Sequence, residues 1–351
     1  MALLGMPDDV LIRILSSASL NDVINARRVS RRIHWIVEKY NLVKPTVTEF
    51  SVVCRGCPSS LRSFEKSVVL HRRAFTQIRM KRERVEKHIQ ATFSTAIWGV
   101  AQSVEYIKTN MRMSKITKSL SFEGVTIDEE FFKMLTAPWN DLTEVSELHL
   151  QTCAIEINRD QFIRLLAGMR ISSLIIEFCT FHQSLISNQV LMSLENLETF
   201  HVRPRSSMWL PELTDELIVF WKQLPKVPRM INLYGCCTNI TPIQIPTMFL
   251  EAIKQSGDPF EWDFGILRDS SIKPSDHLLA LLFDPFFCMH TDEDANEKRF
   301  HLSNSSKNMH IYFNVPYGDD FRRNEVTITP SLPTNDILRR LEAIEKKFFV
   351  D

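Results

Sequence analysis

Five short apolar segments recur along the middle of this chain at a nearly constant interval, and few folds can accommodate such a repeat. They fall at residues 118–122, 147–150, 173–176, 198–202 and 230–233. Their centres, Leu120, Leu148, Leu174, Phe200 and Ile231, lie 28, 26, 26 and 31 residues apart. Each segment is short and strand-like, and each is followed by a stretch whose apolar residues return at helical spacing (129–135, 159–166, 188–194, 214–224 and 245–253). One strand, one loop and one helix cannot bury their apolar faces alone. Stacking such units side by side can, with the strands parallel and the helices covering one face.

The expected architecture is therefore α+β or α/β: an irregular leucine-rich-repeat-like arc over residues 116–257, with its strands on the concave face. The asparagine of regular repeats is missing, so the units are degenerate. A compact α/β layer with ordinary crossovers is the competing arrangement; the evenness of the period favours the arc. Before it, residues 45–115 read as a β-hairpin and helical connector. Residues 47–54 form a strand, 55–60 a turn and 67–71 a returning strand, and 81–111 a helix carrying Val85, Ile89, Phe93, Ile97 and Val100. After it, residues 258–351 read as a capping region, with strands at 309–315 and 325–329. Thr334 there opens a closing helix that carries Ile337, Leu338, Leu341, Ile344 and Phe348.

Composition excludes more than it assigns. Lys+Arg and Asp+Glu stand at 42 each, so net charge gives no reason to expect nucleic acid or an acidic membrane as partner. No apolar run is long enough to cross a membrane and no signal peptide is visible. Seven cysteines, an odd number, fit reduced thiols and a cytoplasmic or nuclear location.

Residues 1–44 differ from the rest. Pro7 precedes Asp8 and Asp9, which suit the positive end of a helix. Val10, Leu11, Ile14 and Leu15 follow as one apolar face. Ser19 and Asp22 have the spacing of a capping box for a second helix with Leu20, Val23 and Ile24. Ser30 caps a third, with Ile33, Ile36, Val37 and Tyr40. Three short helices cannot bury all these faces among themselves, so they either pack onto the chain's own core or meet another protein.

The order of these features resembles the F-box, the helical module through which substrate receptors dock on the Skp adaptor of a cullin-type ubiquitin ligase. Met6-Pro7 stands at the pattern's Leu-Pro, Ile14-Leu15 at its central pair, Leu20-x-Asp22 at the start of its second helix, and Val29-Ser30-Arg31-Arg32 at its Val-Cys/Ser-basic-basic segment. Met6 replaces a leucine. Ile33 stands where a tryptophan is usual, with Trp35 two residues on. The resemblance implies an adaptor-binding set of Met6, Pro7, Val10, Leu11, Ile14, Leu15, Leu20, Val23 and Val29. The whole layout is also similar to F-box proteins carrying an F-box-associated region of the FTH type, on leucine and isoleucine spacing at 104–122, 145–166 and 197–202.

Candidate chemistry is sparse. Cys54 and Cys57 have zinc-knuckle or redox spacing, but no second pair follows at finger distance, and a turn with idle thiols is the plainer reading. The basic cluster His71, Arg72, Arg73, Arg79, Lys81, Arg82 and Arg84 is broken by Glu83 and Glu86 and reads as a solvated face, with an acidic partner as the minority reading. His290, Asp292, Glu293, Asp294, Glu297 and His301 match no metal motif and read as an acidic loop. No enzymatic signature, cofactor or metal is expected. The implied function is a substrate receptor bound to the Skp adaptor, and through it to cullin, that presents an unnamed protein target to the ligase. Surface positions such as His149, Glu177 and His201 are candidates for target contact. The alternatives are a non-ligase interaction scaffold with an F-box-like helical cap, and a thiol enzyme at Cys54 and Cys57.

Overall fold

A computed structural model describes residues 5–18, 20–40, 42, 44, 46–55, 74–82, 85–93, 98–241, 244–255, 259–267, 288–293, 297–304 and 309–316. Three helices open the chain: α1 (Asp8–Ser17), α2 (Leu20–Val29) and α3 (Arg31–Lys39). Next come β1 (Thr46–Arg55), β2 (Ala74–Arg82), β3 (Val85–Phe93) and α4 (Trp98–Arg112). The units that follow are β4 (Lys115–Glu123), β5 (Thr126–Ile127) and α5 (Glu129–Leu135); β6 (Glu147–Gln151), β7 (Ala154–Ile155) and α6 (Arg159–Ala167); and β8 (Ser173–Glu177), β9 (Thr180–Phe181) and α7 (Asn188–Met192). Then come β10 (Thr199–Arg203), β11 (Met208–Thr214) and α8 (Asp215–Gln223); β12 (Met230–Asn232), β13 (Cys236–Asn239) and α9 (Gln244–Gln255); and β14 (Phe260–Leu267), β15 (Cys288–Glu293), β16 (Glu297–Asn304) and β17 (Met309–Pro316).

The main sheet is mixed. Its centre, β1-β4-β6-β8-β10-β12-β14-β17, is parallel throughout, while β2 and β3 at one edge and β16 and β15 at the other pair antiparallel. The five expected strand centres fall in a single register row, which extends in both directions: Phe50, Leu120, Leu148, Leu174, Phe200, Ile231, Trp262 and Ile311. The parallel series does not stop near 257, because β14 and β17 continue it.

Within β6, β8 and β10, alternate residues are buried and half-buried. The buried set meets the helices: Phe122 packs edge-on against Phe131 of α5 at 5.2 Å between ring centroids, and Phe200 against Trp221 of α8 at 6.5 Å. One continuous core results, running from Val47 to Phe313.

Four of the five units also turn in the same way; the β10 unit, with Pro204 at the equivalent position, does not. Two residues past the second inward side chain the backbone becomes left-handed, at Gly124 (φ 68°), Thr152 (φ 51°), Phe178 (φ 54°) and Gly235 (φ 79°). In three units the next residue is a cysteine whose thiol donates back to a carbonyl of a preceding strand: Cys153 to Phe122 (3.2 Å), Cys179 to Leu150 (3.3 Å) and Cys236 to Val202 (3.7 Å). The asparagine of regular leucine-rich repeats is missing from all of these units. The three cysteines occupy equivalent positions, and each donates to the neighbouring strand. Burial pushes the Cys236 thiol up, and the hydrogen bond to Cys179 together with burial does the same for Cys153, so both remain neutral donors rather than nucleophiles.

Two expectations need correction. Residues 85–93 are strand β3, not helix; α4 begins only at Trp98. Val85, Ile89 and Phe93 are spaced by four, which places them on one face of a helix and equally on one face of a strand. Pairing with β2 along its whole length decides the matter. The acidic stretch at 290–301 is not a loop but mostly strand: β15 and β16 pair in a register that sets Asp292 opposite Arg299 and Glu293 opposite Lys298. The expected strands at 67–71 and 325–329 and the closing helix from Thr334 lie outside the described residues. Residues 317–351 as a whole lie outside them.

Candidate functional site

The three N-terminal helices have their own core. Leu11, Leu15, Val23, Ile33, Ile36 and Val37 are buried together, with Met6, Ile12, Ala18, Ala26 and Leu42 packed at its margin. Helix starts follow local chemistry: Ser30 Oγ accepts from Ile33 N at 3.1 Å, the cap expected for α3. Pro7 occupies the cap position of α1, and its carbonyl accepts from Leu11 N. Asp8 and Asp9 lie in the first turn, where the helix dipole favours them. Arg32 ties α3 to the start of α1, donating from Nη2 to the Met6 carbonyl at 2.8 Å and from Nε to Asp8 at 3.1 Å. Arg27 of α2 pairs with Glu38 of α3 at 2.8 Å. The acid after Pro7 and the second of the paired arginines therefore serve one purpose, closing the first helix against the third.

The apolar face read from the sequence divides in two. Leu11 and Leu15 point inward, as does Val23. Val10 and Ile14 are 36% and 39% exposed, and with Pro7 they make an i, i+3, i+7 stripe along the outside of α1. Val29 is 73% exposed at the end of α2. Met6 is half-buried; the side chain of Leu20 lies outside the described set. Ile33, at the position where a tryptophan is usual, fills the helical core. Trp35 is instead half-exposed, with Lys39 Nζ 4.2 Å above its ring. Trp35 and Tyr40 were not among the expected adaptor-facing residues, although an exposed aromatic beside the basic segment was visible in the sequence. Of the seven large apolar side chains exposed among the described residues, five (Val10, Ile14, Val29, Trp35 and Tyr40) belong to these helices. Such a concentration on so small a part of the chain marks a contact surface. Lys44 follows the helices and donates to the Trp139 carbonyl at 2.8 Å, linking them to the sheet region.

The half-buried face of the main sheet holds a second constellation. Register aligns His149 of β6, Ile175 of β8 and His201 of β10, and places Glu177 one position along the same face. His149 Nε2 hydrogen-bonds to Glu177 Oε2 at 3.2 Å. His201 Nε2 stands 3.4 Å from Glu177 Oε1 but is not aligned for a hydrogen bond, leaving that buried nitrogen unpartnered. These three were expected as exposed residues. The close spacing of parallel strands packs them against one another instead, so that His201 is only 13% exposed at its side chain.

The hydrogen bond from His149 and the nearby cations hold the Glu177 carboxyl below its usual range, while burial lowers His201. Both shifts disfavour proton uptake in the folded chain, so stability falls on acidification: below about pH 6.5 as the unfolded His201 protonates first, and again below the ordinary glutamate range. His201→Gln is expected to remove up to about 1.4 kcal/mol per pH unit of the dependence just below pH 6.5, measured as denaturant midpoints at several pH values.

Cys54 is half-buried on β1 with Sγ 3.5 Å from Thr76 Oγ1, and Cys57 lies outside the described residues. Arg79, Lys81 and Arg82 are solvated on β2, with Lys81 paired to Glu49 at 2.8 Å. Among the described residues, no cluster of three histidine, cysteine or acidic side chains is arranged to hold a metal, and no helix is long and apolar enough to cross a membrane.

Comparison with known protein families matches the F-box domain at residues 3–44. That span coincides with the three helices and their exposed stripe. The match supports an F-box protein, the kind of chain that binds the Skp adaptor of Skp–cullin–F-box ligases. No curated protein matches the chain.

Proposed function

We propose that this chain is the substrate-recognition subunit of a Skp–cullin–F-box ubiquitin ligase, acting in the cytoplasm or nucleus and performing no chemistry itself. The observation that carries the reading is the coincidence of the F-box match with the outward Pro7, Val10 and Ile14 stripe on helices that already have a complete core. A stripe that the fold does not use for its own packing is available to a partner. Val29, Trp35 and Tyr40 extend the surface, while Met6, Leu11, Leu15 and Val23 hold the helices that present it.

The remainder is the receptor. We read the parallel strands, with their register row and cysteine donors, as irregular leucine-rich repeats: Leu148-x-Leu150-x-x-Cys153, Leu174-x-Ile176-x-x-Cys179 and Ile231-x-Leu233-x-x-Cys236 fit the repeat form that has cysteine in place of asparagine. An arc of this kind, of the FTH-associated type, would offer its helix-free sheet face to a target. The mechanism is proximity. Holding a target beside the charged conjugating enzyme turns a rare bimolecular encounter into a near-intramolecular one.

The test is affinity purification of the intact chain from cells. The Skp adaptor and a cullin are expected to co-purify. Recovery of target proteins without either would leave a non-ligase interaction scaffold and remove the ligase reading.

A further inference from the structure

We infer that Ser30 is a phosphorylation site for an arginine-directed serine kinase, and that its phosphate weakens adaptor docking. The second half rests on the reading of the N-terminal helices as the adaptor-binding surface; the first half stands without it.

The residues before Ser30 carry the charge pattern that such a kinase selects. Arg27 and Arg28 stand three and two positions upstream, with Val29 between them and the hydroxyl. Kinases of this class choose substrates by charge, holding paired guanidiniums against carboxylates beside the reacting hydroxyl. Adjacent arginines occur at 27–28, 31–32, 72–73, 322–323 and 339–340. Two positions after each pair stand Ser30, His34, Phe75, Glu325 and Glu342, so only the first pair precedes a hydroxyl.

The junction between α2 and α3 presents this segment to solvent. Arg27, Arg28, Val29 and Arg31 are exposed, and Ser30 is half-buried in extended backbone with φ −151° and ψ 150°. A kinase groove needs the preceding residues extended too. Arg27, Arg28 and Val29 form the last turn of α2, whose carbonyls have no helical acceptor role left to lose. The ion pair from Arg27 to Glu38 is exposed at both ends and holds that turn only weakly. Opening the junction therefore breaks few bonds, the Ser30 cap to Ile33 N among them. Ser30 Oγ then attacks the γ-phosphorus of ATP. The bond from that phosphorus to the bridging oxygen breaks, ADP leaves, and the hydroxyl proton passes to the kinase's base.

The product has opposite effects on the fold and on docking. A phosphate on Ser30 sits where the first N–H groups of α3 point and where the helix dipole favours negative charge. Arg28 and Arg31, which make no ion pair among the described residues, flank it in sequence. Arg32 is already committed to Asp8 and the Met6 carbonyl. The folded helices therefore tolerate the group. Docking does not, because Ser30 adjoins Val29, which is 73% exposed and extends the adaptor surface. A charge of about −2 would have to lose its water beside an apolar contact.

The test incubates the intact chain with ATP and the catalytic subunit of cyclic-AMP-dependent kinase as probe. A phosphate mapped to Ser30 by fragment mass is expected, and Arg28→Gln is expected to slow its incorporation at least about tenfold. Ser30→Asn keeps a capping oxygen while removing the acceptor, and is expected to lose that phosphate without losing the fold. The phosphorylated chain is expected to keep or raise its thermal midpoint and to bind purified Skp adaptor at least about tenfold more weakly. Chain already bound to the adaptor is expected to resist the kinase. Failure of Ser30 to take phosphate, or equal adaptor affinity before and after it does, would overturn the inference. So would a thermal midpoint that falls with the affinity, since the loss would then be one of folding. An unmodified, folded chain that does not bind the adaptor counts against the ligase reading, and the mapped phosphate still tests the site itself.

Discussion

Gly265→Ala is expected to destabilise the sheet region by about 3–5 kcal/mol, among the largest effects available to a one-carbon change. Gly265 has φ 67°, a conformation that strains any L side chain. A Cβ there would sit 2.4 Å from the Leu233 carbonyl oxygen and 2.5 Å from that of Cys236. Both obstacles are backbone, and Leu233 is itself fixed on either side: its N–H donates to the Asp263 carbonyl, and its carbonyl accepts from Cys236 N, each at 2.8 Å. Neither can retreat without opening the turn between β12 and β13. Gly265 also marks the point where β14 stops pairing with β12, begins pairing with β13, and slips in register against β17. A glycine at such a bulge lets one strand serve three neighbours. Gly168→Ala is the control. It caps α6 at an ordinary φ of −75°, its nearest neighbour would be 3.4 Å from the new carbon, and its stability is expected to stay within about 0.5 kcal/mol of wild type. Denaturant midpoints compare the two.

Val10→Glu with Ile14→Glu is expected to lower affinity for the Skp adaptor at least about a hundredfold while leaving the fold of the N-terminal helices intact. Both side chains already face water, so a carboxylate there costs the isolated chain little. In a complex, the same two charges would have to be desolvated within an apolar contact without partners, a penalty of several kcal/mol. Leu11→Ala offers the contrast. Leu11 is 1% exposed in the small core, so its truncation is expected to cost about 2–5 kcal/mol of folding stability, with adaptor binding lost only as the helices melt. The pair of substitutions reads the surface and the single one reads the scaffold, although all three residues lie within two turns of one helix.

That division within α1 is what sequence reasoning could not resolve. Val10, Leu11, Ile14 and Leu15 look like one apolar face on a helical wheel. Which half faces inward depends on where α2 and α3 cross, and a spacing pattern does not contain that information. Long-range order was far more legible. The even interval between Leu120, Leu148, Leu174, Phe200 and Ile231 foretold a register row because parallel neighbours of equal length must align. The continuation to Trp262, 31 residues past Ile231, keeps that interval and was equally legible; only the step to Ile311, 49 residues further on, breaks it. Strand β3 was lost to the ambiguity of a four-residue spacing, which only its antiparallel partner resolves. The cysteines were overlooked because they were judged by their spacing from one another as ligands. Their constant position after each strand, three residues past Leu150, Ile176 and Leu233, was the usable signal. His149, Glu177 and His201 were selected as surface residues, and their mutual contact was invisible because it depends on strand register across three units.

The central claim, that the helices at residues 3–44 present an adaptor-binding surface, is tested most directly by calorimetric titration of purified Skp adaptor into the intact chain. Saturable one-to-one binding is expected, which the Val10→Glu and Ile14→Glu pair abolishes while the circular dichroism and thermal midpoint of the chain are unchanged. Binding of equal strength in that variant, or no binding by a wild-type chain shown to be folded, would contradict it.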